Sequence, residues 1–320
     1  MVNRRFAQAT WGLVAFLLLV VVWGAFVRAT GSGAGCGQHW PVCNGEIVPR
    51  APALETLIEF THRVSSGIVT LLVVAWAVWG FVAFPRRHRV RLGAGLGVVA
   101  ILLEGAIGAA LVLLRLTGSD DSLARAGWMG LHLVNTFFLL AVVAVTGAWA
   151  GGTATPRLRE QGAVGVLVPA ALIGLVVLGV SGAIAALGDT LFPARSLAEG
   201  FQQDVAGGAH VLLRLRVFHP LLAVAVGTLL LVTAAVSSLL RPARHVRRAA
   251  MVLAVLVVLQ LTAGLVNLAL LAPVWLQLVH LLLADGVWLT AVLLGASALA
   301  DDAPRLAVPG LAEPGSASAR

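Results

Sequence analysis

The chain of 320 residues is 59% hydrophobic and only 11% charged, with a formal net charge of +8 and two cysteines. Those proportions exclude an ordinary soluble globule or a disordered segment and point to repeated membrane spans, with the lipid bilayer as solvent. The positive charge is arginine alone, for there is no lysine, and it falls in short connections rather than on one basic face, so no nucleic-acid partner is expected.

A helix needs about 20 apolar residues to cross the hydrocarbon core. Windows at residues 11–27, 57–82, 92–114, 128–150, 163–187, 211–239, 249–272 and 275–299 predict eight spans. The expected fold class is an all-α polytopic membrane protein whose eight transmembrane helices form two pseudo-symmetric four-helix bundles, residues 1–155 and 156–320. The first window reads as a retained helix, because no small-residue cleavage site precedes a soluble domain. Alternate connections carry Arg4 and Arg5, then Arg86, Arg87, Arg89 and Arg91, then Arg157 and Arg159, then Arg241, Arg244, Arg247 and Arg248. By the positive-inside rule these are cytoplasmic, with both termini inside the cell membrane. The acid-bearing connections face outward.

Between the first two windows lies CGQHWPVC, residues 36–43, which holds both cysteines. An outward loop places Cys36 and Cys43 in an oxidising compartment, where a disulfide is expected. Its short ring contributes roughly 2–3 kcal/mol in a chain-entropy picture. A redox-active pair is the rival reading, whereas a metal site including His39 lacks further ligands.

Four of the eight histidines stand on the even-numbered spans: His62 in IEFTHR, His132 in GLHLVN, His219 in VFHPLL and His280 in QLVHLL. Each lies within the first two turns of a span that runs inward, so all four imidazoles fall at a similar depth near the outer face. Ionisable groups inside membranes are expensive and mark function, although a single such histidine is as often a packing residue. Imidazole is an axial ligand for haem iron, and two pairs suggest two bis-histidine positions, or one haem site and one related substrate site. Zinc fits less well, because no cysteine or carboxylate cluster accompanies each histidine.

The halves echo one another. Glu104 stands four residues before Gly108 in the third span, and Gln260 four before Gly264 in the seventh. They also differ. Glu59 precedes His62 by three residues, whereas Arg216 holds the matching place before His219. A carboxylate there would transfer protons or stabilise developing positive charge; it would equally serve as a hydrogen-bonding partner of His62. Arg28, Arg63, Arg214 and Arg216 crowd the outer ends, as bidentate partners for haem propionates or as snorkelling side chains.

The stretch FVRATGSGAGCGQHWPVCNG, followed in order by IEFTHR, GLHLVN, VFHPLL and LVHLLLADG, resembles the haem A synthase family over nearly the whole chain. The resemblance implies an oxidoreductase that converts a methyl group of haem O to the formyl group of haem A by successive hydroxylations. It implies haem b as cofactor on His219 and His280, with Arg214 and Arg216 nearby, and substrate haem between His62 and His132, with Arg28 and Arg63. Glu59 would be the catalytic acid and Cys36–Cys43 the external disulfide. Haem O synthase and a membrane electron donor would be partners. Some relatives carry a second cysteine pair before the sixth span, but here LGDTLFPARSLAEGFQQD has none, so that loop must be held by other means. Two readings compete: a non-enzymatic di-haem electron-transfer subunit, which would have no need of Glu59, and a haem transporter or chaperone.

The arginine asymmetry predicts that single cysteines placed in the 30–56 loop react with an impermeant reagent from outside, and those in the 84–91 loop do not. Outside labelling of the 84–91 loop would overturn the orientation.

Overall fold

The structure, a computed structural model, describes residues 2–157 and 159–300. Ten helices order the described chain: α1 (Arg4–Ala29), α2 (Leu54–Ala83), α3 (Arg89–Leu113), α4 (Leu123–Ala150), α5 (Gly162–Leu191), α6 (Leu197–Val205), α7 (Val211–Arg216), α8 (Phe218–Leu240), α9 (Arg244–Ala269) and α10 (Val274–Ala298). Eight helices are long and apolar enough to cross a membrane, with α7 and α8 counted as one. No strand occurs among the described residues, as lipid requires of a chain that must satisfy its backbone within each segment.

Polar residues set the helix starts. Asn3 accepts the Phe6 N–H at 3.1 Å and Ser122 accepts that of Arg125 at 3.2 Å, each filling an orphan donor of the first turn. The helices overrun the apolar windows into these polar flanks. Two features escape a hydropathy window altogether. Helix α6 is too short and too polar to register, although Leu197, Phe201 and Val205 form an exposed apolar stripe along it. The sixth span breaks at Val217, between α7 and α8. The cause is Pro220, which has no N–H to give the carbonyl of Arg216, four residues back.

Helix α1 packs on α2 and α4, α2 on α3, and α3 on α4; in the second half α5 packs on α8 and α10, α8 on α9, and α9 on α10. The halves meet where α4 touches α5 and α10, and where α1 touches α10 and α5. Between lipid-embedded helices the attraction is packing and hydrogen bonding, not exclusion of water, so small residues matter. Gly97 seats the Trp76 ring, and Gly93 seats Thr146. Across the seam, Phe137 and Trp288 stack at 4.7 Å, and the Trp288 indole donates to the Phe137 carbonyl at 2.8 Å. At the C-terminal ends of α1 and α5, Arg28 donates to the Ala186 carbonyl (2.7 Å) and Thr190 hydroxyl (2.8 Å) on α5, and to Gln277 on α10 (2.9 Å). One arginine thus ties three helices from both halves.

Candidate haem-binding site

The four span histidines stand at matched positions along their helices. His62 is the ninth residue of α2 and His132 the tenth of α4; His219 is the ninth of the sixth span and His280 the seventh of α10. A spread of three residues is about 4.5 Å along a helix axis. His62 and His132 lie within electrostatic reach of each other, as do His219 and His280.

Each ring rests against a glycine of another helix. A Cβ added at Gly24 of α1 would lie 2.9 Å from the His62 ring, one at Gly182 of α5 3.0 Å from His219, and one at Gly264 of α9 3.0 Å from His280. At Gly108 of α3 the His132 ring is more loosely seated, at 3.9 Å. The Ser181 hydroxyl lies 2.9 Å from His219 Nδ1, which orients that ring and leaves Nε2 available. His62, His132 and His280 each retain a buried Nδ1 without a hydrogen-bond partner among the described residues. Glycine-seated imidazoles with nitrogens the protein does not satisfy fit paired axial ligands for a porphyrin.

The outer loop of the first half is clasped onto α2. Cys36 and Cys43 form a disulfide. Glu59, only 4% exposed, accepts the Cys36 N–H at 2.8 Å on one oxygen and the Arg63 guanidinium at 2.5 and 3.1 Å on the other. Arg63 continues to the carbonyls of His39 (2.6 Å) and Val42 (2.7 Å). Gly35 makes the approach feasible, since a Cβ there would come within 2.5 Å of the Glu55 backbone.

The second half closes its loop with charge instead of sulfur. Arg216, at the place matching Glu59, donates to Asp204 of α6 at 2.6 and 3.1 Å and to Asp189 of α5 at 2.7 Å. Arg214 donates to the Gly207 carbonyl at 2.7 Å. The cysteine-free loop is therefore held by an ion-pair clasp. All four outer arginines, Arg28, Arg63, Arg214 and Arg216, engage protein acceptors in this structure. Arg63 pairs locally with Glu59, four residues earlier, whereas Arg28 reaches Gln277, Thr190 and the Ala186 carbonyl, all distant in sequence, so no local motif marks Arg28.

The sequence echo of Glu104 and Gln260 is also spatial. Glu104 stands 3.5 Å from His132 Nδ1, and the Gln260 amide 3.3 Å from His280 Nε2. Sequence reasoning took both only as repeat markers; the signal was a charge inside the apolar run LLEGAIGAALVLL.

The chain matches the cytochrome oxidase assembly protein family over residues 7–292. It is 50% identical over 302 residues to a Thermus thermophilus protein named protoheme IX farnesyltransferase, which covers 94% of this chain and 50% of that one. It is 36% identical over 145 residues to a haem A synthase of an Exiguobacterium species, 45% of this chain and 48% of that enzyme. A haem A synthase of Shouchella clausii is 43% identical over 97 residues, 30% of this chain and 32% of the relative. The chain spans about half the length of these first curated relatives or less.

The glycine seats make a graded prediction. Gly264→Ala should push the His280 ring aside and weaken haem retention by about 10–100-fold, the range for lost support of a ligand. Gly105→Ala, where a Cβ meets nothing within 4 Å, should retain haem as wild type does. The haem-to-protein ratio after purification checks both; equal ratios would remove the seats from the site.

Proposed function

Because this multi-pass membrane protein belongs to the cytochrome oxidase assembly protein family that its haem A synthase relatives represent, we propose that it is a haem A synthase acting on haem O. The carrying observation is the set of four histidines at one height, paired within each half and seated on glycines. On this reading residues 1–155 form the substrate half, where His62 and His132 hold the haem whose methyl is oxidised. Residues 156–320 form the cofactor half, where His219 and His280 hold haem b. The bound haem iron would supply the redox chemistry; the chain's side chains hold, orient and shield. Converting the methyl to a formyl group is a four-electron oxidation through an alcohol and a hydrated aldehyde that loses water, so an external oxidant must take those electrons.

Glu59 is proposed as the catalytic carboxylate. Both of its oxygens are already held, by the Cys36 N–H and by Arg63, which favours a fixed negative charge over a mobile proton carrier. One turn from His62, such a charge stabilises positive charge that develops on the neighbouring ring better than reorganising water does. The same bonds join that charge to the disulfide. Arg28, Arg63, Arg214 and Arg216 would be the residues to meet the propionates with the N–H groups that their protein acceptors leave free.

The substrate must come from a reaction that attaches a farnesyl chain to protohaem. The Thermus relative bears the name of such a transferase, which supports a haem O synthase as a working partner alongside a membrane electron donor.

Membranes that express the chain with a haem O supply should yield a formyl-bearing haem by pigment extraction and mass analysis. Unchanged haem O would favour electron transfer or transport instead. Glu59→Gln keeps the shape and removes the charge, so haem A formation should fall about 10²–10³-fold while haem stays on His219 and His280. Non-reducing peptide mass analysis should still find Cys36 linked to Cys43 in that variant. Wild-type haem A yield would leave Glu59 as a clasp alone.

A further inference from the structure

Glu104 takes no part in the function proposed above, yet it has three polar contacts in the substrate half. It lies inside α3 and meets one face of α4 at three residues. One oxygen stands 3.5 Å from His132 Nδ1 and accepts the Thr136 hydroxyl; the other accepts the Asn135 amide at 2.5 Å. The Asn135 amide is itself anchored on the Ala100 carbonyl of α3, at 2.9 Å. The carboxylate is thus aimed at the imidazole by donors that are fixed in turn. In the second half Gln260 reaches His280 from the matching place on α9. The two positions match in sequence and differ by one unit of charge, with Glu104 facing His132 Nδ1 and Gln260 facing His280 Nε2.

We propose that Glu104 is a positioning residue that acts through His132, making the haem iron of the first half harder to reduce than that of the second. This rests on the haem reading given above. A carboxylate held beside a ligating imidazole, as Glu104 is beside His132 Nδ1 at 3.5 Å without a hydrogen bond between them, biases the ring's orientation by charge and raises its electron donation to the metal. Stronger axial donation favours the oxidised iron, and hydrogen bonding around the ligand is one of the levers by which a protein sets a haem potential. The neutral amide of Gln260 supplies only a dipole. The asymmetry between substrate and cofactor halves is therefore written a second time, behind the ligands. Thr136 tempers the effect, because its hydroxyl binds the same oxygen that faces His132.

The test is spectroelectrochemical titration of the full-length protein loaded with protohaem at both positions. Glu104→Gln should shift the lower midpoint potential upward and narrow the gap between the two haems. Glu104→Asp should restore part of the shift. Gln260→Glu should lower the potential of the other haem. Thr136→Val removes the competing donor and should move the first haem downward, opposite to Glu104→Gln; this variant keeps the test open if Glu104→Gln does not fold. A merely structural role for Glu104 does not produce shifts of opposite sign. Unchanged potentials in both Glu104→Gln and Thr136→Val would overturn the proposal, even if the wild type makes haem A normally. The predicted shifts in a protein that leaves haem O unaltered would support the role of Glu104 while removing the proposed activity.

Discussion

A polar group carried into hydrocarbon on a helix must find its partner inside the protein, because no water is there to supply one. That constraint arranges the outer third of this molecule. Arg28 donates to the Ala186 carbonyl and the Thr190 hydroxyl of α5 and to Gln277 of α10, and in doing so ties α1 of the first half to two helices of the second. Glu59 and Arg63 bind the disulfide loop down onto α2, and Arg216 does the same for α6. Remove these pairings and the histidines lose the frame that levels them. Asp285 stands outside the pattern: it is fully buried, and neither oxygen has a hydrogen-bond partner among the described residues. Nothing in the structure explains it.

The parts legible in the sequence are those governed by local rules. Apolar run length located the eight spans, and position within each run placed His62, His132, His219 and His280 near one height. The Cys36–Cys43 bridge followed from a lone outward pair. What stayed hidden depends on contacts between distant residues. Arg28 and Gln277 are 249 positions apart, and Arg216 finds Asp189 27 positions away. The break at Val217 was written in Pro220, but an average over a long window erases a single proline. Helix α6 was invisible for the converse reason, since its apolar residues recur every fourth position among acids and amides.

The two halves carry different chemistry beside their histidines. Beside His62 and His132 stand Glu59 and Glu104; at the matching places beside His219 and His280 stand Arg216 and Gln260. Both departures put acid in the first half. One is locked to a loop and the other to the face of a neighbouring helix, so neither is a stray surface charge.

The opposite charges of the two clasps bear on how the chain assembles. Helices leave the insertion machinery in order, and two similar bundles risk exchanging their outer loops before either has closed. The loop of the first half offers the Cys36 N–H to Glu59 and the His39 and Val42 carbonyls to Arg63. The loop of the second offers Asp204, which Glu59 would repel. The two loops are thus closed by different chemistry: a carboxylate of α2 holds the first by a main-chain N–H, and a guanidinium of the sixth span holds the second by Asp204.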